Sequence, residues 1–237
     1  MITLLSQYIK YFVILCFLLI AKSSLAQVDQ VQLNIDQIIK KFNNSNRRLR
    51  WDAVSEIIEI GYPAGKSLLS ALNSEDNNIC SSAAIALGDI NYKPALNPLI
   101  QNLKSRPPFV RWSIAYALGE LHDDKAINPL CDCLNDENIS VRVQAARALV
   151  NLGPKVIPDV LHKFAELQNS YRGEVAVIYT LSHLGTDSVD QLFIALNTKD
   201  NECHRISPLA LGQCDDPRVV DHLIKGLGDD DPIVRKE

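Results

Sequence analysis

The chain has 237 residues, 24 basic and 28 acidic, with a formal charge of −4, 47% hydrophobic residues and 22% charged ones. That balance excludes the apolar-poor composition of a disordered chain and the strong basicity of a protein that binds nucleic acid or anionic membrane through bulk charge. The one basic cluster, Lys40, Lys41, Arg47, Arg48 and Arg50, reads as the solvated first turn of a helix in preference to an anion site.

Residues 1–26 read as a targeting segment. Lys10 precedes an apolar run from Tyr11 to Ala21, and Ser24-Leu25-Ala26 puts small residues at the two positions a signal peptidase reads. Cleavage before Gln27 is expected. The run is shorter than the ~20 residues a membrane-spanning helix needs, and the bulky Val13, Ile14 and Leu15 before Cys16 argue against a lipidated cysteine. Removal of Lys10 and Lys22 with this segment leaves 22 basic and 28 acidic residues, a charge of −6. An exported protein with no membrane span after cleavage is expected.

Beyond residue 30 one pattern recurs. A half-unit near 31–43, with Ile38 and Phe42 on one helical face, leads into six full units near 46–228 and the start of a seventh at 229–237. The stretch Pro108 to Leu134 is the plainest unit, two short apolar-striped helices joined by a polar turn. With Arg111 set on Arg50, Arg142 and Arg235, the same column holds Cys80, Glu174 and His204, each 30 to 32 residues from the next. Seven residues on stand Ile57, Leu87, Leu118, Leu149, Leu181 and Leu211, and three further on Ile60, Ile90, Leu121, Leu152, Leu184 and Cys214. Four residues before the column lie Asn46, Asp76, Pro107, Asn138, Ser170, Asp200 and Asp231; all but the proline can cap a helix start through a side-chain oxygen. Pro108 and Pro232 follow at the first helical position, where the missing N–H costs nothing.

The second helix of each unit pairs apolar residues four apart: Leu68 with Leu72, Leu99 with Leu103, Leu130 with Leu134, Val160 with Phe164, Leu192 with Leu196 and Leu223 with Leu227. That spacing puts both members on one face. Units of this size bury too little alone, so neighbours must stack.

The segments VRWSIAYALGEL (Val110 to Leu121), VRVQAARALVNL (Val141 to Leu152) and ICSSAAIALGDI (Ile79 to Ile90) resemble the short HEAT-like repeats of phycobilin lyase subunits and deoxyhypusine hydroxylase. The period is shorter than the about 40–47 residues of longer HEAT and armadillo units. The resemblance implies an all-α fold, a right-handed α-solenoid of about six short HEAT-like helix pairs, and most such proteins are binding scaffolds. Deoxyhypusine hydroxylase holds two irons through repeated His-Glu pairs, and the chain contains no His-Glu dipeptide. His122-Asp123 comes nearest, in a turn where a capping acid is expected. No metal or cofactor site is therefore expected. The lyase resemblance offers no motif that carries over residue by residue.

Five cysteines remain after cleavage, an odd number that implies a free or intermolecular thiol. Cys131, Cys203 and Cys214 fall in core columns. Cys131 and Cys133 point apart on one helix, and Cys203 and Cys214 stand roughly 16 Å apart along theirs, so neither pair should bridge. Cys80, in the arginine column, is the candidate reactive thiol. Pro208 replaces the aliphatic residue of its column, so either the sixth unit's first helix kinks there, the preferred reading because Cys203 keeps the core register, or Ser207 caps a shorter helix beginning at Pro208. The chain stops at DPIVRKE, one turn into a helix, which reads as truncation. Asn43-Asn44-Ser45 and Asn138-Ile139-Ser140 match the glycosylation pattern, relevant only in a eukaryotic secretory path.

The polar rows supply the candidate sites. Gln101, Asp132 and His162 fall on the outward column of the second helices, which suits a protein or peptide partner bound through many modest contacts. With Cys133, Asp132 and His162 would also form a Cys/His/Asp arrangement, but no oxyanion hole or defined turn accompanies it. On the first helices Trp51 and Trp112 share a column, and Tyr116 and Tyr179 share another four residues on. Trp112 and Tyr116 beside Arg147 have the composition of an interface anchor; packing between repeats would account for them equally. The expected function is an exported non-catalytic scaffold for a protein or peptide partner. The alternative is an enzyme or enzyme subunit resembling the phycobilin lyases or the hydroxylase.

Overall fold

The computed structural model describes residues 27–104, 106–167, 171–184, 189–190, 193–194, 210–212, 214, 216–228 and 235. The targeting segment, Cys203, Pro208, Leu192, Leu196 and the end at Glu237 lie outside the described residues. Helix α1 covers 27–40 and runs into a 3-10 turn, Lys41–Asn43. Then come α2 (Arg47–Ile60), α3 (Gly65–Leu72), α4 (Asn77–Asp89), α5 (Leu96–Asn102), α6 (Pro108–Glu120), α7 (Ile127–Cys133), α8 (Ile139–Leu152), α9 (Ile157–Glu166), α10 (Tyr171–Ser182) and α11 (Arg218–Gly226). No described residue is in a strand. None of the described helices is long and apolar enough to cross a membrane.

The even-numbered helices from α2 to α10 are the first members of the units and form one layer; α3, α5, α7 and α9 form the other. Each first helix packs on the next, and each second helix packs on the first helix of the unit that follows. This is an α-solenoid.

Local chemistry sets the helix starts. The Asn46 side chain accepts from the Arg48 amide, Asp76 from those of Asn78 and Ile79, and Asn138 from that of Ser140. Pro107 gives α6 no such cap, and Pro108 begins the helix instead. Between the two helices of a unit the chain reverses through a left-handed residue: Gly61 (φ 73°), Asn91 (51°), His122 (47°) and Gly153 (86°). Glycine meets that demand without strain, and Asn and His are the side-chain types that tolerate it best. A 3-10 turn follows at Tyr62–Ala64, Lys93–Ala95, Asp124–Ala126 and Pro154–Val156. His122 is thus a turn residue, its Nδ1–H donating to the Glu120 carbonyl, and Asp123 caps the next turn at the Lys125 amide.

Ile57, Leu87, Leu118, Leu149, Leu181 and Leu211 are all fully buried in one continuous core. The second-helix pairs from Leu68 to Phe164 join them. The last pair differs: Leu227 falls one residue past α11 and is 69% exposed. There the inward stripe sits one turn earlier, on buried Val219 and half-buried Leu223.

Close approach fixes the spacing of the first-helix layer. A Cβ placed on Gly88 would lie 2.7 Å from the Ala117 Cα, and one on Gly119 would lie 2.8 Å from the Ala148 Cβ. The carboxy-terminal halves of α4, α6 and α8 therefore touch almost backbone to backbone. In the same column Ile58 and Val150 stand in the outer units, and α2 and α10 meet their neighbours less extensively.

Candidate functional site

Toward the amino-terminal ends of the same helices the layer opens. The column after the arginines reads Trp51, Ser81, Trp112, so a serine stands between two tryptophans on neighbouring helices. The gap is a groove of about 740 Å³. Trp51, Phe109 and Trp112 form its apolar walls, Val54 and Ile85 lie deeper, and Ser81, Ser82 and Ser113 line it with hydroxyls. Trp51 is 41% exposed and Phe109 48%. Asn78, Pro108, Asn138 and Ser140 complete it, so the first turns of α4, α6 and α8 all border the groove, as do Arg47 and Arg50 of α2.

The hydroxyls have a definite order. Ser113 Oγ–H donates to the Phe109 carbonyl at 3.1 Å, which uses its only proton, so in the 2.7 Å contact Ser81 donates to Ser113. Ser82 is 5% exposed and lines the groove, yet its hydroxyl has no hydrogen-bond partner among the described residues.

No carboxylate lines this groove among the described residues, whereas Arg47 and Arg50 do. Arg50 holds its own loop, its Nη1 donating to the Asn44 and Ser45 carbonyls at 2.6 and 3.1 Å. Arg47 makes no side-chain hydrogen bond or ion pair among the described residues. Helix amino termini add partial positive charge.

The arginine column proves to be a set of loop clamps. Arg111 Nη1 donates to the Arg106 carbonyl and Arg142 Nη1 to the carbonyls of Asp136 and Glu137. Arg111 also forms a two-pronged pair with Asp136, both contacts 2.7 Å, with side chains 12% and 10% exposed. Its guanidinium is held still more firmly protonated by the hydrogen bonds it donates to Asp136. Cys80 in this column corrects the expectation of a reactive thiol: it is fully buried, and burial raises its pKa. The loop carbonyl that an arginine there would hold, that of Ser74, accepts instead from Arg106, at the far end of the Cys80 unit, at 3.0 Å.

The structure disperses the other candidates. Tyr116 stacks on Trp112 with ring centroids 6.0 Å apart and donates to Asp89 at 2.5 Å; burial, then that bond, raises its pKa. Arg147 is exposed and does not line the groove. Tyr179 stacks on His183 at 4.0 Å. On the second helices Gln101 is exposed; Asp132 accepts from Lys163 at 2.7 Å, and His162 faces Glu166 at 3.5 Å. Asp132 and His162 are thus engaged with other partners. Cys133 is buried, with its pKa pushed up to about 12 by desolvation, as is that of Cys131. No Cys/His/Asp centre is assembled. No group of three or more His, Cys, Asp or Glu suited to a metal ion occurs among the described residues.

The family model for HEAT repeats matches residues 35–118 and again 96–178. The chain belongs to the HEAT-repeat proteins. Among solved structures it is similar to the complex of CpcE and CpcF of phycocyanin lyase from Nostoc sp. PCC7120. That match has 23% identity over 73% of each chain and a TM-score of 0.45. An engineered protein aligns at 20% identity over 76% of this chain and 96% of its own, TM-score 0.42. Human deoxyhypusine hydroxylase in complex with glycerol aligns at 18% identity over 86% of this chain and 93% of its own, TM-score 0.34. No curated protein matches the HEAT-repeat chain by sequence.

Proposed function

We propose that this HEAT-repeat protein is an exported, non-catalytic scaffold that binds a protein or peptide partner, and that it does so at the groove between Trp51 and Trp112. The observation that carries the reading is the groove itself, with the large aromatic walls of Trp51, Phe109 and Trp112 beside arginine and hydroxyl groups. Exposed tryptophan next to arginine is the side-chain chemistry on which protein interfaces concentrate their affinity. The polar row of Gln101, Asp132 and His162, with Arg147 and Tyr179, serves as a secondary contact surface.

The test is capture of the partner from the exported fraction with the wild-type protein and with Trp112→Ala. Loss of a hot-spot aromatic costs about 2 kcal/mol, roughly 30-fold in affinity, so the variant should lose the captured protein. Equal recovery by the variant removes the groove from the proposal. Stoichiometric iron or tetrapyrrole absorbance in the purified protein would replace the scaffold by an enzyme. Amino-terminal sequencing of the mature form checks export; the expected first residue is Gln27.

A further inference from the structure

We infer that the groove takes an extended, acidic segment of the partner, with one apolar side chain seated over Ser81 between Trp51 and Trp112; this rests on the scaffold reading above. Three independent features lead to it.

The first is shape. The groove crosses from α2 to the start of α8, three helix-to-helix steps of about 8–10 Å each. An extended segment of about seven to nine residues, at about 3.3 Å per residue, spans that length.

The second is charge. The chain carries a net −4, yet this groove collects Arg47 and Arg50, borders the first turns of α2, α4, α6 and α8, and has no carboxylate in its lining among the described residues. Among the described residues Arg47 is without an ion-pair partner. A segment bearing glutamate or aspartate supplies the missing charge, and a basic one is repelled.

The third is the Ser82 hydroxyl, 95% buried, facing the groove and without a hydrogen-bond partner among the described residues. A buried hydroxyl left without a hydrogen bond is costly. An extended backbone offers a free N–H and C=O at alternate positions, whereas a helix has already used both on itself. The same backbone reaches the side chains of Asn78, Asn138 and Ser140 on the groove's polar rim.

Both tryptophans of the chain line the groove, so intrinsic emission reports its occupancy directly. The probes are two tryptophan-free peptides: serine, glycine and glutamate around a single leucine, and its twin with lysine in place of glutamate. The glutamate peptide should shift the emission and bind at least ~10-fold tighter than its twin, with an affinity that falls as salt rises from about 0.05 to about 0.5 M. Arg47→Glu, at an exposed position, should weaken it about 10-fold. Ser81→Phe fills the gap and should abolish it, with an unchanged circular dichroism spectrum as the folding control. Equal binding of the twins overturns the inference, and so does binding indifferent to Arg47→Glu and Ser81→Phe. Silence from both peptides overturns it too; partner capture by Trp112→Ala tests the scaffold reading separately.

Discussion

The two ends of the first-helix layer are built from small residues that do opposite things. At the carboxy-terminal end Gly88 faces Ala117 and Gly119 faces Ala148, small against small, and the helices close until their backbones touch. At the amino-terminal end Ser81 stands between Trp51 and Trp112, small between large, and a groove is left. A small side chain therefore means contact or cavity according to the residue about thirty positions away on either side. The ends also differ in what holds them. The closed end is an apolar seam, and the open end is kept in place by polar clamps such as Arg111 with Asp136.

Removing a clamp should act most strongly. Asp136→Ala removes the two-pronged partner of the largely buried Arg111 guanidinium and leaves it only the exposed Glu137 carboxylate at 3.2 Å, a loss of about 3 kcal/mol that lowers the melting temperature by roughly 6–12 °C. A melt within a degree of wild type would mean that the open end does not depend on its ion pair. Wedging the closed end comes next. Gly88→Leu drives a side chain into the Ala117 backbone and should cost about 2 kcal/mol in denaturant unfolding. In the neighbouring contact, Gly119→Ala should be partly rescued by Ala148→Gly, with a coupling of at least ~0.5 kcal/mol; strict additivity would break the picture of a seam.

Alkali should test a part of the molecule common to both ends. Cys131 and Cys133 in α7 have folded-state pKa values near 12, above the ordinary thiol value. The folded protein then holds protons that the unfolded chain releases. The stability these thiols give is complete below the ordinary thiol pKa and is lost as pH climbs from there toward 12. Replacing both with alanine should flatten that slope in urea melts taken at rising pH. The smallest effect is expected for Ser113→Ala, which removes the hydroxyl bonded to Phe109 and Ser81. It should cost about 1 kcal/mol and blue-shift or red-shift the tryptophan emission, whereas Gly119→Ala should leave that emission unmoved.

Much of this architecture is legible in one pass along the chain. The aliphatic columns from Ile57 to Leu211 and the caps at Asn46, Asp76 and Asn138 obey rules that operate within one unit, so residue type and spacing suffice. The site is less legible because it arises between units. The shared column of Trp51 and Trp112 is visible in the sequence; the meaning of Ser81 between them depends on side-chain volumes compared across helices. The arginine column looks solvent-facing because arginine usually is. Its long side chains reach back to loop carbonyls while the column itself faces inward, which is why Cys80 is buried. The engagements of Asp132 with Lys163 and of His162 with Glu166 depend on rotamers that no spacing encodes.

The bond from Arg106 to the Ser74 carbonyl means that the loop leading into the second unit is fastened from that unit's far end. Shuffling or excising units as interchangeable blocks would leave that loop untied unless the cut travels past Arg106. A graft of the second unit into another solenoid should therefore carry residues through 106, or restore arginine at position 80, before it can be expected to hold its shape.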